Sequence, residues 1–268
     1  MALTSDQIHA GGVKLGKLPA RHDPRTLQLA KYLKTDKLPE PPKSEDFSKK
    51  VAGWPMMKND TVGDCTCAAA GHMIEQWTTY ANKPFTPTDT QVIDAYSAIT
   101  GYNPKTGAHD NGANMLDVLN YWRKTGIAGR KIVGYVALEP KNQRDIEDAI
   151  MLFGNVYLGV ALPLSAQRQT VWAVPPGGAT GTGAPGSWGG HAVPVVQYDQ
   201  RGLTVVTWGQ LKRMTWSFLD TYCDEAFAVL SDDWINDKTK LSPDQFDVAA
   251  LQQDLAELDS GKPALMTV

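Results

Sequence analysis

A cysteine, a histidine and an asparagine in this chain have the types and the order that acyl-transfer chemistry needs. Cys65 ends the stretch NDTVGDC, which begins at Asn59, and His191 lies far downstream in the segment GGHAV. In such a set the thiolate attacks a carbonyl carbon, and the imidazole takes the thiol proton and later delivers it. A side-chain amide and the backbone N–H of the cysteine stabilise the oxyanion. These residues therefore predict a nucleophilic site built from a thiol and an imidazole.

The elements that must position these residues change type along the chain. Small and then apolar residues at helical spacing predict a helix from Cys65 to about Tyr80, buried against a sheet. Further helices are predicted over Thr88 to Ile99, which starts with a capping box, and over Asn114 to Lys124. Short apolar runs then predict an antiparallel sheet, with strands at Val156 to Leu162, Ala192 to Tyr198, Leu203 to Trp208 and Ala226 to Leu230. The pattern indicates an α+β protein.

A glycine-rich segment precedes the candidate histidine. Pro175 to Gly190 holds seven glycines in sixteen residues, a composition that does not hold a fixed shape unaided. The segment is interpreted either as a flexible lid beside His191 or as a long surface loop, and both interpretations stay open on sequence alone.

The order and spacing of these motifs resemble the papain-like cysteine peptidases. His191 lies 126 residues after Cys65 and Thr207 lies 142 residues after it, close to the ~130–150 residues expected for the His and Asn of that family. Asn59 stands where the family usually has a Gln at the oxyanion hole, and VTWG at 206–209 resembles the family's Asn-Ser-Trp-Gly block. The resemblance covers about residues 54 to 231. It implies a papain-like domain in which a helical half and an antiparallel β-sheet half meet at a cleft.

Two positions depart from the family pattern. Val206 or Thr207 occupies the place of the orienting Asn, depending on a one-residue choice of alignment, and only the Thr207 hydroxyl can hydrogen-bond the imidazole. Asp64 directly precedes Cys65, and its carboxylate would raise the pKa of the thiol unless it points away or is paired. The resemblance thus implies Cys65 as nucleophile, His191 as general base and acid, Asn59 in the oxyanion hole and Thr207 as the provisional orienting residue.

Other interpretations of the same residues were weighed. With Cys67 as nucleophile, Thr61 would fall at the oxyanion position and offer only a hydroxyl, so Cys65 is favoured. A free cysteine is otherwise most often a core residue, and His72 is interpreted as a hydrogen-bonded core residue. A zinc site from Cys65, Cys67 and His72 lacks paired CxxC motifs and a fourth ligand. No metal and no cofactor are expected.

The chain is divided into three parts on composition. Residues 1–50 are predicted to form a proline-punctuated arm over the domain, with a short helix from Pro24 to about Leu33 and an inhibitory propeptide as the alternative. Residues 51–231 are predicted to form the papain-like domain. Residues 232–268 form a tail with a helix at about 242–258, capped by Ser242.

These observations predict a cysteine hydrolase that cleaves a peptide or other amide bond in a peptide or protein substrate. The alternative is a catalytically weak or inactive papain-fold protein with a binding or structural role. Protein partners in a phage particle or other assembly are then expected, since similar motifs occur in bacterial and phage-related proteins. A cell-wall amidase is a third candidate, without a wall-binding repeat to support it.

Net charge, hydropathy and cysteine content limit the partners and the compartment that can be expected. A net charge of −3 without a basic run argues against a nucleic-acid partner. The N-terminus lacks the pattern of a signal peptide and no long apolar run occurs, so no membrane association is expected. Three cysteines are too few for a disulfide framework and favour a reducing compartment. A cytoplasmic or virion-associated protein is expected.

Overall fold

The computed structural model describes residues 12–32, 40–235, 253, 254 and 256. Its α-helices are α1 (Cys65–Tyr80), α2 (Asp89–Thr100), α3 (Met115–Lys124), α4 (Gln143–Phe153), α5 (Trp216–Tyr222) and α6 (Asp232–Ile235). Its strands are β1 (Glu45–Asp46), β2 (Gly134–Ala137), β3 (Val156–Leu162), β4 (Val171–Trp172), β5 (Gly189–Asp199), β6 (Gly202–Thr207), β7 (Gln210–Thr215) and β8 (Cys223–Leu230). The predicted α+β class is confirmed.

The three predicted helices form, and side-chain caps fix where two of them, α2 and α3, start. The Thr88 hydroxyl accepts the N–H of Gln91 and the Gln91 side chain accepts the N–H of Thr88, which completes the predicted capping box of α2. Asn114 caps α3 through the N–H of Leu116. Helix α1 begins at Cys65 itself, so the candidate nucleophile lies at a helix N-terminus.

The capping box of α2 allows a simple test of stability. Thr88→Ala removes the hydroxyl that accepts the N–H of Gln91, and the free energy of unfolding is expected to fall by about 1 kcal/mol. Thr90→Ala, an exposed change in the first turn of the same helix, is the control and should cost less than ~0.5 kcal/mol. Urea denaturation of the two variants measures both values, and equal losses would contradict this account of the helix start.

The strands form one eight-stranded sheet with the order β2-β8-β3-β5-β6-β7-β4, and β1 pairs with β5. All pairs are antiparallel except β4 with β7, which is parallel. Strand β3 has the predicted bounds, whereas β5 begins at Gly189, so the end of the glycine-rich segment belongs to the sheet. His191 therefore lies near the start of a long central strand, where it pairs with Val160 of β3.

Several elements of the second half were missed from the sequence. Helix α4 was given no prediction, although Asn142 caps it, Gly154 ends it in a left-handed conformation, and Ile146 and Ile150 lie on its buried face. Helix α5 and the strands β2, β4 and β7 were missed as well, and so was the short strand β1 in the predicted arm. The second half is thus not purely β, because α4 and α5 cover one face of the sheet.

Two hydrophobic clusters lie on opposite faces of the sheet. Along β3, Val156, Leu158 and Val160 belong to the cluster under α4 and α5, whereas Tyr157 belongs to the cluster around α1, α2 and α3. Because side chains alternate between the two faces of a strand, the position of each residue along the strand decides which of the two clusters it joins. The helical half and the sheet half meet where α1 packs on β5, and this contact places Cys65 next to the strand of His191.

The proposed tail and arm are only partly described. Residues 253, 254 and 256 are helical, and the rest of the predicted helix at 242–258 lies outside the described residues. Tyr32 of the arm donates its hydroxyl hydrogen to Asp254 at 2.6 Å. The predicted arm helix from Pro24 to Leu33 is only a 3-10 turn at Leu29–Lys31. Within the described ranges, no helix has both the length and the apolar content that a membrane span requires.

Candidate active site

Cys65 is buried at the first turn of α1 against the start of β5. Burial raises the pKa of its thiol to about 12. The backbone N–H groups of Ala192 and Gly16 lie at hydrogen-bonding positions to the sulfur and oppose that increase. With this pKa the thiol keeps its proton at neutral pH. The residue of β5 beside the sulfur is Ala192, which directly follows His191.

His191 is buried in β5 with its two ring nitrogens in different environments. Nε2 lies 2.7 Å from the Thr207 hydroxyl oxygen, whereas Nδ1 has no hydrogen-bond partner among the described residues. The ring stacks on Trp208 with centroids 4.6 Å apart, and the edge of Trp172 closes a further side. Burial lowers the pKa of the imidazole to about 3, so the ring is neutral. With Nε2 held, Nδ1 is the nitrogen that remains for proton exchange with a thiol.

Strand register distinguishes the two residues that could orient the imidazole. Thr207 contacts His191, whereas the adjacent Val206 is buried on the other face of β6. Adjacent side chains of a strand point to opposite faces, so only one of the two can reach the ring. Trp208 follows with a left-handed φ of 46°, which turns the chain and lays the indole on the imidazole. A hydroxyl, not an amide, is the group hydrogen-bonded to Nε2 of the histidine.

Asn59 is buried, but its amide is engaged elsewhere. Its Nδ2 donates to Oδ1 of Asp64 at 3.2 Å and to the carbonyl oxygen of Val62 at 3.4 Å. Burial raises the pKa of Asp64 well above its usual value, which favours the uncharged carboxyl beside Cys65. Asp64 is therefore paired with Asn59, and the amide does not point a free N–H into the cleft in this state.

Residues 16–18 of the N-terminal arm lie in the cleft between the two halves. On the helical side, the N–H of Leu18 donates to Ala113 O at 3.0 Å, and the N–H of Ala113 donates to Gly16 O at 2.8 Å. On the sheet side, the N–H of Lys17 donates to Gly190 O at 3.1 Å. The arm is thus hydrogen-bonded to both walls of the cleft and lies directly over the candidate site.

Glycines allow this close approach of backbones. A Cβ atom at Gly16 would lie 1.7 Å from the carbonyl oxygen of Gly63, and one at Gly190 would lie 2.2 Å from the carbonyl oxygen of Lys17. Such distances exclude any side chain at these positions unless the backbone moves. The arm therefore packs closely on both walls beside Cys65 and His191, and burial is the main cause of the shifted pKa values of these two residues.

The remaining sequence candidates lie away from this constellation. His72 is buried, its Nε2 lies 2.8 Å from Pro55 O, and burial lowers its pKa to about 4. Cys67 is buried and burial raises the pKa of its thiol. No group of three or more metal-ligating side chains occurs within residues 12–32 and 40–235.

The glycine-rich segment before His191 is tied to its surroundings. The Tyr222 hydroxyl donates to Gly183 O at 2.7 Å, and the N–H of Gly186 donates to Ala161 O at 3.0 Å. The N–H of Trp188 donates to Leu162 O at 3.0 Å. These bonds attach the loop to the end of β3, and a lid at this position stays a prediction.

Several solved structures share the fold of this chain. Xylellain from Xylella fastidiosa superposes with a TM-score of 0.64 and 15% identity, over 82% of this chain and 97% of that chain. Procathepsin B S9 from Trypanosoma congolense gives a TM-score of 0.55 at 11% identity, over 85% and 89% of the two chains. Procathepsin L 3 of Tenebrio molitor gives 0.53 at 12% identity, over 86% and 81%. The predicted papain-like fold is confirmed.

These similarities are similarities of fold. No protein-family model and no curated protein matches the chain by sequence. At identities of 11–15% the superpositions establish the architecture, while the roles of individual residues rest on the geometry of this chain.

Proposed function

We propose that this chain is a papain-fold cysteine hydrolase that cleaves a peptide or other amide bond. The observation that carries the proposal is the arrangement around His191. Thr207 holds its Nε2 at 2.7 Å, Nδ1 is left without a partner in the described structure, and the next residue, Ala192, reaches the sulfur of Cys65. This is the geometry of a base that is held on one side and open on the other. One structural neighbour, xylellain, is named as a cysteine protease, which supports the same chemistry.

In the proposed mechanism His191 Nδ1 takes the proton from Cys65, while Nε2–H donates to the Thr207 hydroxyl. The thiolate attacks the substrate carbonyl carbon and the carbonyl electrons move to its oxygen, which the N–H groups at the start of α1 stabilise. Collapse of this intermediate expels the amine, which takes the proton from His191. Water, deprotonated by His191, then attacks the thioester, and the acid product leaves as the proton returns to the sulfur. Asn59 joins the oxyanion donors if its amide turns away from Asp64.

The arm must leave the cleft before a substrate enters. We infer that residues 12–20 act as an inhibitory segment, because they hydrogen-bond to both walls and cover the thiol. Two of the structural neighbours are named as procathepsins, which supports a latent form of this kind. Displacement of the arm hydrates the site, so the pKa of the thiol falls and that of the imidazole rises toward their usual values.

Thiol labelling tests the proposal. In the protein with its arm displaced, iodoacetamide is expected to modify Cys65 faster than Cys67 or Cys223 at neutral pH, because Cys65 lies against the strand of His191, beside Ala192. Peptide mass mapping identifies the modified residue, and Cys65→Ser and Cys67→Ser give the matched pair of variants. Preferred labelling of Cys67, or an inert Cys65 together with a tight stoichiometric partner, would favour the papain-fold protein without turnover instead.

The Thr207 hydroxyl is expected to matter for rate more than for folding. Thr207→Val removes the acceptor at 2.7 Å from Nε2 and should lower kcat/KM about 10–100-fold, because the imidazole loses its fixed orientation. Thr207→Ser keeps the hydroxyl and should retain most of the activity. The measurement is hydrolysis of a fluorogenic peptide against pH. Full activity in the valine variant would exclude an orienting role.

A further inference from the structure

Lys17 places its side chain in an enclosed pocket beside the cleft. The side chain has no solvent exposure, although lysine is rarely buried. Its Nζ lies 2.8 Å from Oδ2 of Asp224 and 3.1 Å from Oε1 of Glu225, and it donates to Leu18 O at 3.1 Å. This pocket, formed with Met115 and Gly159, is called the Lys17 pocket below.

A strand irregularity brings both carboxylates to one ammonium. Adjacent side chains of a regular strand point to opposite faces, so Asp224 and Glu225 would be expected to diverge. In the pairing of β3 with β8, Gly159 pairs with Glu225 but Val160 pairs with Cys223, so Asp224 is bulged out of the ladder. A bulge of this kind redirects a side chain. It lets both carboxylates face the pocket.

The charges of the pocket require a cation. Burial lowers the pKa of Lys17, but Glu225 and Asp224 outweigh this effect and the pKa lies above its usual value. Burial also raises the pKa of Glu225, which Lys17 counteracts. An empty pocket would leave two neighbouring carboxylates without a counter-charge, one of them only 8% exposed. The pocket is therefore matched to an ammonium rather than to a neutral side chain.

The shape of the pocket is matched to an unbranched alkyl chain. A Cβ at Gly159 would lie 2.3 Å from Cε of Lys17 and 2.9 Å from the sulfur of Met115. The missing side chain at Gly159 therefore leaves the space through which the lysine methylenes pass. The neighbouring arm residue, Gly16, is the one whose N–H reaches the sulfur of Cys65.

We infer that the Lys17 pocket is a subsite that selects a basic side chain, such as lysine, in the substrate, next to the residue that lies over Cys65. This inference rests on the proposed function. Lys17 occupies the subsite while the arm covers the cleft, so the arm and a basic substrate compete for the same two carboxylates. Asp224 and Glu225 are then specificity-determining residues, and Gly159 sets the room for the side chain.

Cavity rescue tests the pocket without any need for turnover. Lys17→Ala removes three methylenes and the ammonium, and Tm should fall by on the order of 5–10 °C. n-Propylammonium chloride should restore part of this loss at millimolar concentration, whereas 1-propanol and sodium chloride should not. The rescue should vanish in Lys17→Ala combined with Glu225→Gln. Equal effects of n-propylammonium and 1-propanol would overturn the assignment of a cation pocket.

Active-site labelling tests the link to substrate. In the Gly16→Ala variant, in which the arm is expected to be displaced, a peptidyl acyloxymethyl ketone with the sequence acetyl-Lys-Gly should modify Cys65 at least tenfold faster than its norleucine counterpart. Glu225→Gln and Gly159→Ala should each reduce this preference. Equal rates for the two probes would overturn the subsite while leaving the hydrolase proposal intact. No modification of Cys65 by either probe, with the propylammonium rescue intact, would overturn the hydrolase proposal and with it the role of the pocket in substrate selection.

Discussion

Replacing Gly16 by alanine is expected to raise the rate at which iodoacetamide modifies Cys65 at neutral pH by on the order of a hundredfold or more. The new Cβ would lie 1.7 Å from the carbonyl oxygen of Gly63, and this contact is with backbone atoms, so no movement of a side chain relieves it. The arm must therefore move away from α1. A thiol pKa that falls from about 12 to its usual 9 raises the thiolate fraction on the order of a thousandfold, and access by the reagent improves as well.

The matched control for this change is Gly53→Ala. Gly53 is exposed and a Cβ there meets nothing within 4 Å, so the same substitution carries no steric consequence. Neither glycine has a left-handed φ, so the two variants differ only in the collision with the cleft wall. Stopped samples analysed by peptide mass mapping give the rate for each cysteine. Unchanged modification of Cys65 in a folded Gly16→Ala protein would show that the arm does not protect the thiol.

Replacing His191 by glutamine in the Gly16→Ala background is expected to reduce peptide hydrolysis by about 10²–10⁴-fold. Glutamine can still hydrogen-bond the Thr207 hydroxyl, but it cannot take the thiol proton. The modification rate of Cys65 near neutral pH should fall in parallel, because the thiolate loses its imidazolium partner. Both quantities are measured on the same preparation, with circular dichroism to confirm the fold.

His72→Gln is the control for the loss of a buried imidazole. His72 is as buried as His191, but its Nε2 contacts Pro55 O and it lies within α1, two turns beyond Cys65. This change should lower Tm and leave the hydrolysis rate within about threefold of the parent. If His72→Gln were as inactive as His191→Gln, the assignment of the general base to β5 would be wrong.

Local sequence patterns determined the helical half of the molecule. The start of α2 follows from the Thr88 and Gln91 side chains, and the start of α3 follows from Asn114, since caps act on backbone groups within three residues. The helical half before the sheet half, together with the order and spacing of the motifs at Asn59, Cys65, His191 and 206–209, indicated the resemblance to the papain-like fold. Helix α4 carried the same kinds of signal at Asn142 and Gly154. Its omission was an error of interpretation, because the pattern was present.

Only the tertiary structure decided how the site is completed and covered. The choice between Val206 and Thr207 depends on the register of β6 against β5, which a one-residue shift would reverse. The sequence predicted Asn59 as an oxyanion donor, whereas in the structure its amide donates to Asp64. Lys17 meets Asp224 across 207 residues of sequence, and no periodicity or cap encodes such a pairing. Short-range signals specify elements because their partners lie within a few residues, whereas the arm, the pocket and the covered thiol exist only once distant backbones approach each other.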